Sequence, residues 1–178
     1  MKKILFTLGV LLVAIAIPLR SWLIEPLSAQ DTPITDVREG DVIFHTSQSS
    51  QSPLIQIGTR SHITHCGIVV IKDGKYWLKR SDRENIKIEY AHYLGKPYDL
   101  AFSFDNDIYY CSELVYVIYK EQLGIKLCQP KRIDDYLILC SDKLPIIERE
   151  MQRRGITTEQ YAVAPVDIFE SKNLYSIK

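Results

Sequence analysis

Residues 109–119 read YYCSELVYVIY, and the fold turns on how that stretch is understood. Leu114, Val115, Ile118 and Leu123 recur at helical spacing and Gly124 supplies a C-terminal stop, so a helix is expected to begin at or beside Cys111. A cysteine in that position has two readings. Packing makes it a small buried residue or a disulfide partner. Chemistry makes it a nucleophile, because the unpaired N–H groups at a helix N-terminus stabilise a thiolate and can also receive an oxyanion.

The chemical reading needs a histidine. Residues 63–71, ITHCGIVVI, are rich in β-branched side chains and run into the turn KDGK, where Asp73-Gly74 suits a hairpin and YWLKR its return strand. In an extended segment His65 shares a face with Ile63, Gly67, Val69 and Ile71, while Cys66 points the other way as a small core residue. Gly67 leaves room beside His65 for another group. His62 would face away from His65, which weakens a metal reading of HITHC, although a turn at Thr64 would restore it. His45, at a strand end, and His92, in a helix, read as structural or surface residues. A Cys111–His65 pair suffices for acyl transfer: the imidazole generates the thiolate and later protonates the leaving group.

The rest of the chain sets the context. Its 178 residues suit one domain over residues 37–178, and 22 basic against 22 acidic residues give no net charge. No basic stripe interleaves with aromatics, so nucleic acid is set aside as a partner. Residues 1–29, with Lys2 and Lys3 ahead of the apolar run ILFTLGVLLVAIAIP, read as a signal peptide or N-terminal anchor, and residues 30–36 as a linker. That run is shorter than the roughly 20 residues that span a bilayer. An exported domain would lie in the periplasm or cell envelope, with membrane association through the N-terminal segment as an option. The four cysteines (Cys66, Cys111, Cys128, Cys140) would then meet an oxidising compartment, where two disulfides are the plain reading and a Cys128–Cys140 pair is one candidate.

Between these landmarks, TSQSSQSP (46–53) reads as a loop or cleft mouth, and its serines as ordinary loop residues without a GxSxG elbow. LIQIGTRS follows as a short helix or strand. SDRENIKIEYAHYLG, with Ser81 and Glu84 at capping-box spacing and Gly95 as a stop, predicts a helix over about residues 83–94. KPYDLAFSFDNDIYY reads as a strand or extended loop, SDKLPIIEREMQRRG as a charged surface helix ending at Gly155, and AVAPVDIF as an edge strand or docking segment.

Three stretches carry a family resemblance: EGDVIFHTSQSSQSPLIQIGTRSHITHCGIVV, YLGKPYDLAFSFDNDIYYCSELVYVIY and, more weakly, APVDIFES. They resemble the YiiX/YebB-like branch of the NlpC-type, papain-like cysteine hydrolases, in which the core is circularly permuted and the histidine strand precedes the cysteine helix. The resemblance implies an α+β domain with a small, strongly bent antiparallel sheet packed on the nucleophile helix, Cys111 as nucleophile and His65 as its base. One departure stands out. The segment between the histidine strand and YLGKPYD is shortened, and Leu78 or Lys79 stands where a glutamate that orients the imidazole is expected. Asp82, Glu84, a backbone carbonyl or water would replace that group, or it is absent.

The expectation is an exported cysteine peptidase or amidase that cleaves an amide bond, in a cell-envelope peptide, with no call for a metal or organic cofactor. Tyr98, Asp99 and the serine-rich loop are candidates for lining its cleft. Alternatives are an acyltransferase or lipid-directed thioesterase using the same pair, an envelope-binding module without catalysis, and a disulfide-stapled structural domain.

Overall fold

A computed structural model describes residues 38–70, 87–104, 106–138 and 144–175. The leader, the return strand YWLKR, Ser81, Asp82, Glu84 and Cys140 lie outside the described residues.

The chain enters through a turn at Gly40, whose φ of +90° is open to glycine at no steric cost. β1 (Val42–His45) then pairs antiparallel with β2 (His65–Ile68), Phe44 opposite Cys66 and His45 opposite His65. Bonds from Gly40 N–H to the Val69 carbonyl and from Val69 N–H to the Asp41 carbonyl, both 2.9 Å, extend the ladder. Between the strands, α1 (Ser52–Thr59) starts with Pro53 in its first turn, where a missing N–H leaves no bond unmade. The loop expected over TSQSSQSP is present up to Gln51.

α2 (Cys111–Gln122) is the central helix. It begins where expected, and Gly124, at φ +68°, follows its end. Its burial goes beyond the apolar positions: Cys111, Ser112, Glu113, Val115, Tyr116, Ile118 and Tyr119 are all buried. The helix is covered on several sides. Val115, Tyr116 and Tyr119 form a core with Cys66, Leu127, Val163 and Ile168, and Val42, Phe44 and Ile68 of the first ribbon close over it. Each fully buried Val or Ile in this cluster contributes about 1.5–3 kcal/mol relative to exposure. The Tyr119 hydroxyl donates to the Gly40 carbonyl and ties the helix to the turn that opens the sheet.

The remaining elements close the other side. β3 (Lys131–Arg132) pairs antiparallel with β4 (Tyr161–Ala162), flanked by α3 (Ile133–Leu137), α4 (Leu144–Arg154) and α5 (Pro165–Phe169). α4 ends at Gly155 as expected, and it is charged on one face only: Ile147 and Met151 are buried in a second core with Ile156, against which Leu54, Ile57 and Phe102 pack. AVAPVDIF thus divides into the end of β4 and the helix α5. The fold is α+β.

The expected helix over residues 83–94 is corrected where it is described. Residues 87–90 form no helix, and one 3-10 turn covers Ala91–Tyr93 before Gly95 at φ +76°. Tertiary partners take the backbone groups that a helix would use: the Glu39 carboxylate accepts the Ile88 N–H at 2.7 Å, and the Gln122 amide holds both the N–H and the carbonyl of Glu89, at 2.8 and 3.0 Å. Ile88 is buried in consequence.

Candidate active site

Cys111 stands at the first position of α2, capped by Tyr110 in extended conformation (φ −93°, ψ 169°). The helix start is held on both flanks by one residue. Val163 N–H donates to the Tyr110 hydroxyl at 2.9 Å, and its carbonyl accepts from the Ser112 hydroxyl at 2.6 Å. Cys111 is therefore fixed between two anchored neighbours.

β2 delivers the histidine. His65 is half-buried, and the neighbouring Cys111 thiol raises the imidazole above its ordinary value of 6.5 against the opposing effect of burial. The Cys111 thiol is lowered to about 3: a hydrogen bond from the Cys66 thiol acts most strongly, burial opposes it, and the hydrogen bond and charge of His65 and the Tyr98 hydroxyl add to the lowering. Thiolate and imidazolium are the favoured forms of such a pair, as in other activated cysteines. The other described thiols behave oppositely. Cys66 is pushed well up by its bond to Cys111 and by burial, and half-buried Cys128 is pushed up to about 12 by burial and by the charge of Asp167.

Tyr98 completes the first contacts. Its hydroxyl accepts the Cys111 N–H at 3.4 Å, the donor that would otherwise face an oxyanion. Burial, with the Cys111 charge second, raises the Tyr98 phenol and keeps it protonated. Asp99 does not face the cleft. It is 2 % exposed, and its carboxylate accepts from Ala101 N–H and Ser103 N–H, both at 2.8 Å, and from the Asn106 amide at 3.1 Å, which shapes the loop that presents Tyr98.

The structure brings Cys111 and His65 together and adds two groups that the sequence did not assign to the pair, Cys66 and Tyr98. Strict alternation places Cys66 on the face opposite His65, and Cys66 does pack in the core. Both nevertheless act on Cys111, whose helix packs against β2. The room expected beside Gly67 is there: a Cβ at that position would meet no heavy atom within 4 Å. His45, read as structural, has its ring 4.9 Å from that of His65. His62 contributes its carbonyl to Thr46, and exposed His92 contacts Lys96 and Asp107. Ser52 is buried and bonds Thr64 and Ser49, so the serine-rich loop is tied down by its own hydroxyls. Cys66, Cys111 and Cys128 are free thiols.

Beside Cys111 lies an apolar pocket, partly open to solvent. Cys111 and Ser112 form part of its wall, with Leu54, Gly58, Phe102, Ile147 and Met151 around it.

Residues 76–178 match the family described as a permuted papain-like amidase enzyme, YaeF/YiiX, C92 family; the match includes Cys111 and starts after His65. The uncharacterized protein YiiX of Escherichia coli (strain K12) is 28% identical over 171 residues, covering 78% of this chain and 84% of its own. The crystal structure of the metalloprotein YiiX from Escherichia coli O157:H7 is similar with a TM-score of 0.64 and 26% identity, over 79% of this chain and 96% of that one. Among the described residues no group of three or more His, Cys, Asp or Glu side chains is placed to hold a metal ion.

Proposed function

From the premise that the chain belongs to the permuted papain-like amidase family YaeF/YiiX, we propose that it is an exported cysteine hydrolase that cleaves an amide bond in a cell-envelope peptide. The observation that carries the reading is Cys111 at the first position of the buried helix α2, its two neighbours clasped by Val163, inside the stretch that matches the family. The Cys111 thiolate attacks the amide carbonyl, forming a C–S bond while the carbonyl oxygen takes the negative charge. Cys111 N–H and the Tyr98 hydroxyl are the donors nearest to that oxygen, and Tyr98 must turn from its acceptor role to face it. The His65 imidazolium protonates the departing nitrogen, the C–N bond breaks and a thioester remains. Water then attacks the thioester, His65 takes its proton, and the acid leaves as the thiolate returns.

The leader, residues 1–29, supports export and thus an envelope substrate. The test is amide hydrolysis by the purified protein on peptidoglycan stem peptides, with a search for an acyl mass on Cys111. Cleavage and the acyl adduct are expected for the wild type and neither for Cys111→Ala. Cleavage that persists in Cys111→Ala refutes the mechanism.

One observation favours a second reading. The cavity beside Cys111 is apolar, and an aliphatic acyl chain fits such a wall better than a polar stem peptide does. An acyltransferase or lipid-directed thioesterase would use the same pair. Products released from acyl-ester lipids, with no amide cleavage, would select it.

A further inference from the structure

His45 is an exposed imidazole that the mechanism leaves unused, and it stands beside the one that the mechanism needs. His45 and His65 are Cα partners at the end of the β1–β2 ribbon, so both side chains leave the same face of the sheet. Their ring centroids lie 4.9 Å apart with 57° between the planes, within the range of paired aromatic rings. The backbone on that side of the pair is pinned as well. Thr64 N–H donates to the His45 carbonyl at 3.2 Å, the Thr46 hydroxyl to the His62 carbonyl at 2.8 Å, and Ser47 N–H to the Thr64 hydroxyl at 2.8 Å. Thr64 is buried and its hydroxyl also bonds that of Ser52, so the chain beside both histidines is tied down.

We propose that His45 is a positioning residue, whose ring holds the His65 imidazole in the orientation that serves Cys111. The inference rests on the reading of Cys111 as the nucleophile and His65 as its base. α2, which begins with Cys111, packs against β2, which begins with His65. A half-buried imidazole can still turn about its two side-chain bonds, and every turn away from Cys111 ends the pairing. A second ring packed alongside limits those turns. Such a contact is worth roughly a two- to tenfold bias toward the held orientation. No bond forms at His45 and no proton passes through it; the chemistry stays with Cys111 and His65.

The test compares the full-length wild type, His45→Ala and His45→Phe, each with and without His65→Ala. His45 is exposed, so neither substitution opens the core. The readout is the rate of iodoacetamide alkylation at Cys111, located by mass spectrometry and taken as the ratio of the acid-side rate to the alkaline plateau, so that altered access cancels. The other titratable groups that act on Cys111, Cys66 and Tyr98, are present in every variant and drop out of the comparison. The inference expects His45→Ala to lower the ratio roughly two- to tenfold and His45→Phe, which keeps a ring, to stay within about twofold of wild type. It expects His45→Ala to change nothing further once His65 is alanine. A ratio unmoved by His45→Ala overturns it. So do equal losses in His45→Ala and His45→Phe, which would assign the effect to charge or polarity and not to the ring. A loss of the same size in the His65→Ala background also overturns it, since His45 would then act by a route that bypasses His65. An ordinary thiol profile in the wild type defeats the nucleophile reading itself, and this inference with it.

Discussion

At the scale of single residues, the site is a competition between burial and partners. Burial alone would raise Cys111, as it raises Cys128, and the difference is the set of groups aimed at the sulfur. The consequences for pH have opposite signs at the two ends of the pair. A thiol lowered in the folded state contributes stability that is complete above its unfolded value of about 8.5 and is lost as the pH falls through about 3. An imidazole raised above 6.5 contributes stability that is complete below 6.5 and is lost as the pH rises through its folded value. His65→Ala is therefore expected to move the acid limb of Cys111 alkylation to higher pH, though not all the way to an ordinary thiol, since Cys66 and Tyr98 remain. An acid limb unmoved by the substitution would show that His65 does not act on Cys111.

At the scale of elements, the short helix α5 depends on one carboxylate. Asp167 is buried, accepts the Ala164 N–H at 2.9 Å, and is bonded by the Tyr136 hydroxyl and the Lys131 ammonium of β3. Asp167→Asn keeps the shape and removes the charge, and is expected to cost about 1–3 kcal/mol, measured by chemical denaturation. Elements whose local pattern matched their tertiary setting were legible in the sequence: α2 from its helical spacing and Gly124, β2 from its β-branched run, α4 from its charge and Gly155. Residues 87–93 were not, because the side chains of Glu39 and Gln122, distant in sequence, take the backbone of Ile88 and Glu89. In the site, the place of Cys111 at a helix start and of His65 on a strand was legible from spacing and β-branched residues, but the approach of Cys66 and Tyr98 to Cys111 was not. Alternation assigns a side of the sheet, and it carries no information about which helix packs against the strand.

At the scale of the molecule, the two cores meet around the cavity beside Cys111, and Gly58 of α1 is on its wall. A Cβ there would meet no heavy atom within 4 Å, and helix propensity favours Leu over Gly by about 0.5–1 kcal/mol. Gly58→Leu is expected to raise the melting temperature while narrowing the cavity. If an acyl chain occupies that space, turnover of long-chain substrates falls and turnover of short ones does not. The clasp on Val163 has a consequence for the life of the protein. Cys111 and His65 both precede it in the chain, yet Tyr110 and Ser112 find their shared partner only when the ribosome has passed residue 163. A nascent chain that already carries both reactive side chains thus still lacks the fastener for its helix start. Synthesis has to run 51 residues past Ser112 before the start of α2 can be held as it is in the folded chain.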